Sequence, residues 1–140
     1  KHGPAKYYGC PGMRKSQMLY NFDVASRYNF VIVVEGTTDV WRVGPQAVAL
    51  LGKSMTRGQL KKLHAVWGRG ALILMLDSDA WDEMEGIEQE LRGHFRHGVA
   101  KVALAEGTDP GKTSREDLWE MIIQNARQQD VQLLGHLKRP

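Results

Sequence analysis

The stretch VIVVEGTTDVWRVG, Val31 to Gly44, decides how this chain is read. With Phe30 before it, the run to Val34 is apolar at every position, which marks a strand buried on both faces. The run ends at Glu35 and Gly36, and Asp39 follows four positions after Glu35. Thr37 to Val43 reads as a short helix capped by Thr37 or Thr38. Asp39 then falls in the first turn, where a carboxylate suits the helix N-terminus. Gly36 leaves no side chain between the strand end and whatever docks there.

A second stretch, ALILMLDSDAWDEMEG, Ala71 to Gly86, repeats the pattern of apolar strand and terminal acid. Asp77 and Asp79 are two apart, so on extended chain both side chains point the same way with roughly 6 to 7 Å between Cα atoms. Carboxylates that close repel unless one takes up a proton or a cation sits between them. Mg²⁺ suits such a pair, because it takes hard oxygen ligands and shares itself with substrate phosphates. The competing reading is that acids after strands cap the next helix.

The same alternation extends in both directions. Asn21 to Tyr28 predicts a short helical turn, preceded by a short strand near Met18 to Tyr20. Ala47 to Leu51 predicts a strand closed by Gly52. Thr56 to Trp67 has Leu60, Leu63 and Val66-Trp67 at helical spacing, with Thr56 as N-cap. Ala71 to Leu76 is a third strand, Ala80 to Arg96 a helix with Met84, Ile87, Leu91 and Phe95 on one stripe, Val99 to Leu104 a fourth strand, and Ser114 to Gln128 a final helix. Strands apolar on both faces alternating with helices predict an α/β fold: a mostly parallel four-stranded sheet with helices on both faces. Ligands of such sheets bind at the carboxyl ends of the strands. Glu35 ends the first strand, Asp77 ends the third with Asp79 just beyond, and Asp109 lies in the loop after the fourth.

At 140 residues, 42% hydrophobic and 25% charged, the chain reads as one soluble globular domain. No apolar run approaches the roughly 20 residues of a membrane span, and the N-terminus lacks the apolar core of a signal peptide, so a cytoplasmic location is expected. One cysteine, Cys10, excludes an internal disulfide and a cysteine-rich zinc site. His94 and His97 sit three apart without a third ligand in view, so any metal must be held by oxygen. The net charge of +3 suggests an anionic partner. Residues 1 to 28 hold Lys1, Lys6, Arg14, Lys15 and Arg27 against one acid, Asp23, and the tail ends in Lys138-Arg139. A carboxylate-bearing centre thus lies between basic flanks. Tyr7, Tyr8 and Tyr20 either stack on bases of a single strand or pack against the domain. Trp41, Trp67 and Trp119 fall on helix faces and read as core or half-buried. Trp81, directly after the second acidic motif, either borders a cleft or packs.

VVEGTTD followed by LDSD resembles the Toprim domain shared by bacterial primases, topoisomerases, certain nucleases and recombination proteins. AVALLGKSMTRGQLKKL between the acidic motifs, VALAEGTDP after the fourth strand and KYYGCPGMRKSQMLYN in the arm resemble the bacterial-type, DnaG-like DNA primase branch. These segments span about residues 6 to 112. The resemblance implies a Rossmann-like Toprim fold over residues 29–112, a basic arm at 1–28 that ends a primase-like basic subdomain, and a C-terminal helix and tail at 113–140. Glu35 resembles the family's glutamate, a general acid/base or metal-organising group. Asp77 and Asp79 match the metal-binding pair, and Asp39 and Asp109 match acids that complete the site. Lys6 and Lys15, joined by Arg14 and Lys53, match basic residues that contact nucleic acid or nucleotide phosphate. Two departures stand out: Asp82 where primases usually have glycine, and Gly111 where a second acid commonly follows Asp109-Pro110.

What the resemblance implies is Mg²⁺-dependent nucleotidyl transfer, with Mn²⁺ as a substitute. RNA primers would be made from NTPs on a single-stranded DNA template, with a replicative helicase as a possible partner. The chain would be a fragment or a reduced form, since the family's zinc ribbon and most of its template-binding subdomain have no counterpart here. Two other readings stay open: a Toprim nuclease or topoisomerase piece cleaving phosphodiesters, and a non-catalytic nucleic-acid-binding module.

Overall fold

Five apolar residues in a row leave a strand no polar face to offer water, and Phe30–Val34 (β1) is accordingly at most 1% exposed at every position. The computed structural model describes residues 18–51, 55–76, 81–91, 93–102 and 113–131. Three further strands, Ala47–Ala49 (β2), Ala71–Leu74 (β3) and Val99–Lys101 (β4), complete a four-stranded sheet of order β2-β1-β3-β4. Every pairing is parallel. Ile32 lies between Ala47 and Ile73, and Leu72 lies level with Val99.

Alternate side chains of β1 feed two separate cores. Phe30, Ile32 and Val34 join Val40 and Val43 of Thr37–Val43 (α2) with Leu118, Ile122 and Ala126 of Arg115–Gln128 (α5). Val31 and Val33 join Ala25 of Phe22–Ala25 (α1), Leu63 and Trp67 of Arg57–Trp67 (α3) and Leu91 of Trp81–Leu91 (α4). Each fully buried Val, Ile or Leu contributes on the order of 1.5–3 kcal/mol relative to exposure. This doubly covered sheet is the expected architecture, and β1 and α2 have the expected bounds.

The remaining differences have local causes. The helix α4 ends at Leu91 rather than Arg96, since Gly93 takes φ +91° and turns the chain into the bends that lead to β4. Phe95 is still buried, but it reaches the core from that turn and not from the helix. The segment before α1 contributes a single antiparallel bridge, Tyr20 to Ala49, in place of a strand. The N-cap of α2 is Gly36, not Thr37 or Thr38, because the Asp39 carboxylate reaches back to accept from the Gly36 N–H at 3.2 Å. Thr56 and Ser114 cap α3 and α5, accepting from Gln59 N and Asp117 N. Trp67 is fully buried and Trp119 half-buried, its Nε1 donating to Val43 O at 2.8 Å. Trp41, expected in or beside the core, is 63% exposed. No helix among the described residues is long and apolar enough to cross a membrane.

Candidate functional site

From β1 the chain crosses to β2 through α2 on one face. It then returns past β1 to β3 through α3 on the other face. The direction of winding therefore reverses between β1 and β3. At such a reversal the two crossovers diverge and leave a crevice beyond the carboxyl ends of the two strands. Glu35 stands at that point on β1. The register pairs Val33 with Leu74, so two residues further on Leu76 comes level with Glu35. Met75 N donates to Val33 O at 2.9 Å, which keeps the pairing going beyond β3 itself. Leu76 is buried, and Asp77 is the next residue along the chain.

Glu35 is held on two sides. Its carbonyl accepts from Leu51 N at 2.9 Å, tying the end of β1 to the chain leaving β2, and its side-chain Oε1 is buried. Asp39 faces the start of its own helix through the contact with Gly36, so it has a capping role whatever else it binds. Among the described residues a Cβ placed on Gly36 would meet only Asp39 Oδ2, at 3.8 Å, an ordinary van der Waals contact. Crowding by the described residues therefore does not require this glycine.

Of the expected site residues, Glu35 and Asp39 are brought to the crevice. Asp77, Asp79 and Asp109 lie outside the described residues, as do Lys6, Arg14, Lys15 and Lys53. Asp82 is exposed at the second position of α4, the place of a helix-start acid. Among the described residues no group of three or more His, Cys, Asp or Glu could hold a metal ion. His94 instead meets the His64 ring edge-on at 6.2 Å. The described part of the crevice thus offers two carboxylates, hard oxygen donors of the kind Mg²⁺ takes, and a complete site would need the acids that follow β3.

No family model and no curated protein matches the chain. Solved structures do. Over 86% of its length the chain superposes on the zinc-binding and RNA polymerase domains of the Aquifex aeolicus primase, with a TM-score of 0.68 and 24% identity. A DNA primase domain from Pseudomonas aeruginosa matches over 84% of the chain with a TM-score of 0.65 and 25% identity. A DnaG primase catalytic domain bound to single-stranded DNA matches over 89% with a TM-score of 0.63 and 24% identity. The chain has the Toprim fold of DnaG-type primases. It spans 35%, 41% and 46% of those three chains, respectively.

Beside the Toprim crevice, one residue with no assigned part in the sequence reading organises the backbone. Gln59, 2% exposed, donates to Met18 O at 2.8 Å and to Leu50 O at 3.0 Å, and accepts from Thr56 N at 2.9 Å. One buried amide thereby joins the N-cap of α3, the chain leaving β2 and the point where the N-terminal arm enters the described structure. The signal was present in the sequence: Thr56 and Gln59 form a T-x-x-Q capping box. On the far side of the sheet Gln129 does similar work, accepting from Lys101 N and donating to Lys101 O at 2.9 and 2.8 Å along the outer edge of β4.

Proposed function

We propose that this chain is the Toprim catalytic module of a DNA primase, carrying out Mg²⁺-dependent nucleotidyl transfer in RNA primer synthesis on single-stranded DNA. The observation that carries the reading is the winding reversal between β1 and β3, with Glu35 at the end of one strand and Asp77 one residue beyond the buried Leu76 on the other. The likeness to primase catalytic cores supports it.

In this reading Asp77 and Asp79 hold the metal, with Glu35, Asp39 and Asp109 completing or orienting the set. Bound Mg²⁺ supplies Lewis-acid stabilisation of phosphate charge and lowers the pKa of an attacking hydroxyl. Glu35, anchored through its own carbonyl and partly shielded from water, would orient the other acids of the set or accept a proton from the 3′-hydroxyl. Lys6, Arg14, Lys15 and Lys53 contact the strand or the triphosphate. The arm bearing three of these cations joins the fold at Met18, whose carbonyl Gln59 holds beside the end of β2.

Calorimetric titration of the full chain with Mg²⁺ and Mn²⁺, with and without NTP, tests the metal site. Saturable binding that disappears in Asp77→Ala/Asp79→Ala is the expected result; no binding in either protein, NTP included, would sink the reading. Product analysis on a single-stranded template follows. Primers made from NTPs support the proposal, while strand scission would reassign the same crevice to a Toprim nuclease.

A further inference from the structure

The most exposed large apolar side chain among the described residues is Trp41 of α2, at 63%. A tryptophan left this far in water forgoes much of the stabilisation that burying its ring would bring. It is nonetheless fixed: its Nε1 donates to Tyr20 Oη at 2.9 Å, so the indole is pinned through its edge. Trp41 and Arg42 stand three and four positions after Thr38, so each shares a side of the helix with it. Arg115, from the first turn of α5, donates from Nε to Arg42 O at 3.0 Å and from Nη2 to Trp41 O at 2.9 Å. Those two bonds close the last turn of α2 and use two of the five N–H donors of the guanidinium. Thr38, Trp41, Arg42 and Arg115 together line a cavity of about 330 Å³.

We infer that this cavity binds one nucleotide of a single-stranded nucleic acid, its base stacked on Trp41 and its phosphate held between Arg42 and Arg115. The inference rests on the primase reading for the kind of partner. The site is drawn from residues to which that reading gives no part. Three features favour a nucleic-acid strand over a protein partner. Of the four described residues that line it, three are polar or cationic, whereas tryptophan at protein interfaces centres on a desolvated, well-packed pocket. Among the described residues both charges lining the cavity are positive, and the acids next to Arg115, Glu116 and Asp117, are not among them. An indole already pinned by Tyr20 loses little rotamer freedom when a base stacks on it, and base–aromatic stacking with arginine nearby is how single strands are held without sequence preference. Trp41 lies two residues beyond Asp39 on the same helix, roughly 3 Å further along its axis and about 200° around it, so a strand seated there passes the outer side of the helix that borders the crevice.

The test is anisotropy of a fluorescent twenty-nucleotide oligo-dT with the full chain at low salt, combined with photocrosslinking of the same oligonucleotide carrying 5-iodouracil. Trp41→Leu is expected to weaken binding about 5- to 150-fold, the value of one stacked base, and Trp41→Phe to recover most of it. Arg42→Ala should weaken binding and flatten the dependence of log affinity on log salt by about 0.7, the share of one phosphate contact on a single strand. The crosslink should map to the peptide containing Trp41. Because that side chain is exposed, the variants should keep the wild-type circular dichroism. Arg115 is left intact, since removing it would also uncap α2. Oligo-dT that binds the wild type and Trp41→Leu equally, with crosslinks elsewhere, overturns the inference and leaves the primase reading standing. Wild-type protein that binds no oligo-dT overturns both. Self-association abolished by Trp41→Leu, with oligonucleotide binding unchanged, makes the face a protein interface and also overturns the inference.

Discussion

The two ends of the same four strands are built on different terms. At the amino end, backbone closes on backbone: Gly70 N donates to Trp67 O, His97 N to Gly70 O, Arg96 N to Gly68 O and Leu72 N to Gly98 O, each between 2.8 and 3.1 Å. Trp67 seals this end from one side, its Nε1 donating to Tyr28 O at 3.0 Å and its ring meeting Phe22 edge-on. At the carboxyl end, the described chain presents carboxylates, an uncrowded glycine and one amide that ties three segments together. One end has its backbone groups satisfied and no room to spare; the other has acidic groups in a crevice. Substitutions should therefore separate, with stability falling most at the amino end and ligand binding at the carboxyl end.

Trp67→Ala probes the closed end hardest. It empties the largest fully buried side chain among the described residues and takes the Nε1 donor away from the Tyr28 carbonyl, so a loss of about 3–5 kcal/mol is expected in denaturant unfolding. A loss below about 1 kcal/mol would mean that this end is not close-packed, and the contrast would fail. Gly70→Ala comes next. A Cβ there would run into the Asn29 carbonyl oxygen, with the Asn29 carbon at 3.3 Å, so the approach of the chain entering β1 to the chain entering β3 must widen. The smaller unfolded-state entropy of alanine offsets under about 1 kcal/mol of this. Overpacking against rigid backbone should still leave a net cost of about 1–3 kcal/mol, with metal affinity unchanged.

How much of this contrast was legible in the sequence follows from the kind of signal each end carries. The unbroken apolar run at Phe30–Val34 and the threonine before the α3 pattern are local, and they gave β1, α2 and the start of α3 their bounds. The close approach at Gly70 joins residues far apart in sequence, which no periodicity encodes. Phe95 misled because burial and helical spacing agree up to Leu91, and only the positive φ at Gly93 separates them. Trp41 was misplaced although its neighbours carry the signal: Val40 and Val43, three apart, define the inward stripe of α2, and the next residue after Val40 is turned about 100° away from it. At the carboxyl end, the positions of Glu35 and Asp39 could be read because one follows the apolar run directly and the other falls in the first turn of the helix after it. The bonds of Gln59 to Met18 and Leu50 and those of Arg115 to α2 could not, because they reach carbonyls of other elements.

Thr56→Ala moves to the carboxyl side. It removes the oxygen that accepts from Gln59 N while leaving the Gln59 side chain in place, so about 1 kcal/mol should be lost in thermal or denaturant unfolding. A loss well beyond about 2 kcal/mol would show that the Gln59 amide loses its bonds to Met18 and Leu50 as well. The two halves of the capping box would then act as one unit.

Asp39→Asn carries the smallest expected stability change and the sharpest test of the contrast. Asparagine keeps an oxygen that can accept from the Gly36 N–H, so the cap survives and only the favourable charge at the helix start is lost, about 0.3–1 kcal/mol. If Asp39 also serves a cation in the crevice, directly or by orienting a ligand, Mg²⁺ affinity should drop about 10- to 100-fold in calorimetry despite that small change. Asp39→Ala loses cap and charge together and should therefore be the less stable of the two variants, with a similar loss of metal affinity. Unchanged metal affinity in the asparagine variant would leave Asp39 as a helix cap alone. The carboxyl end would then owe any cation site to Glu35 and the acids after β3.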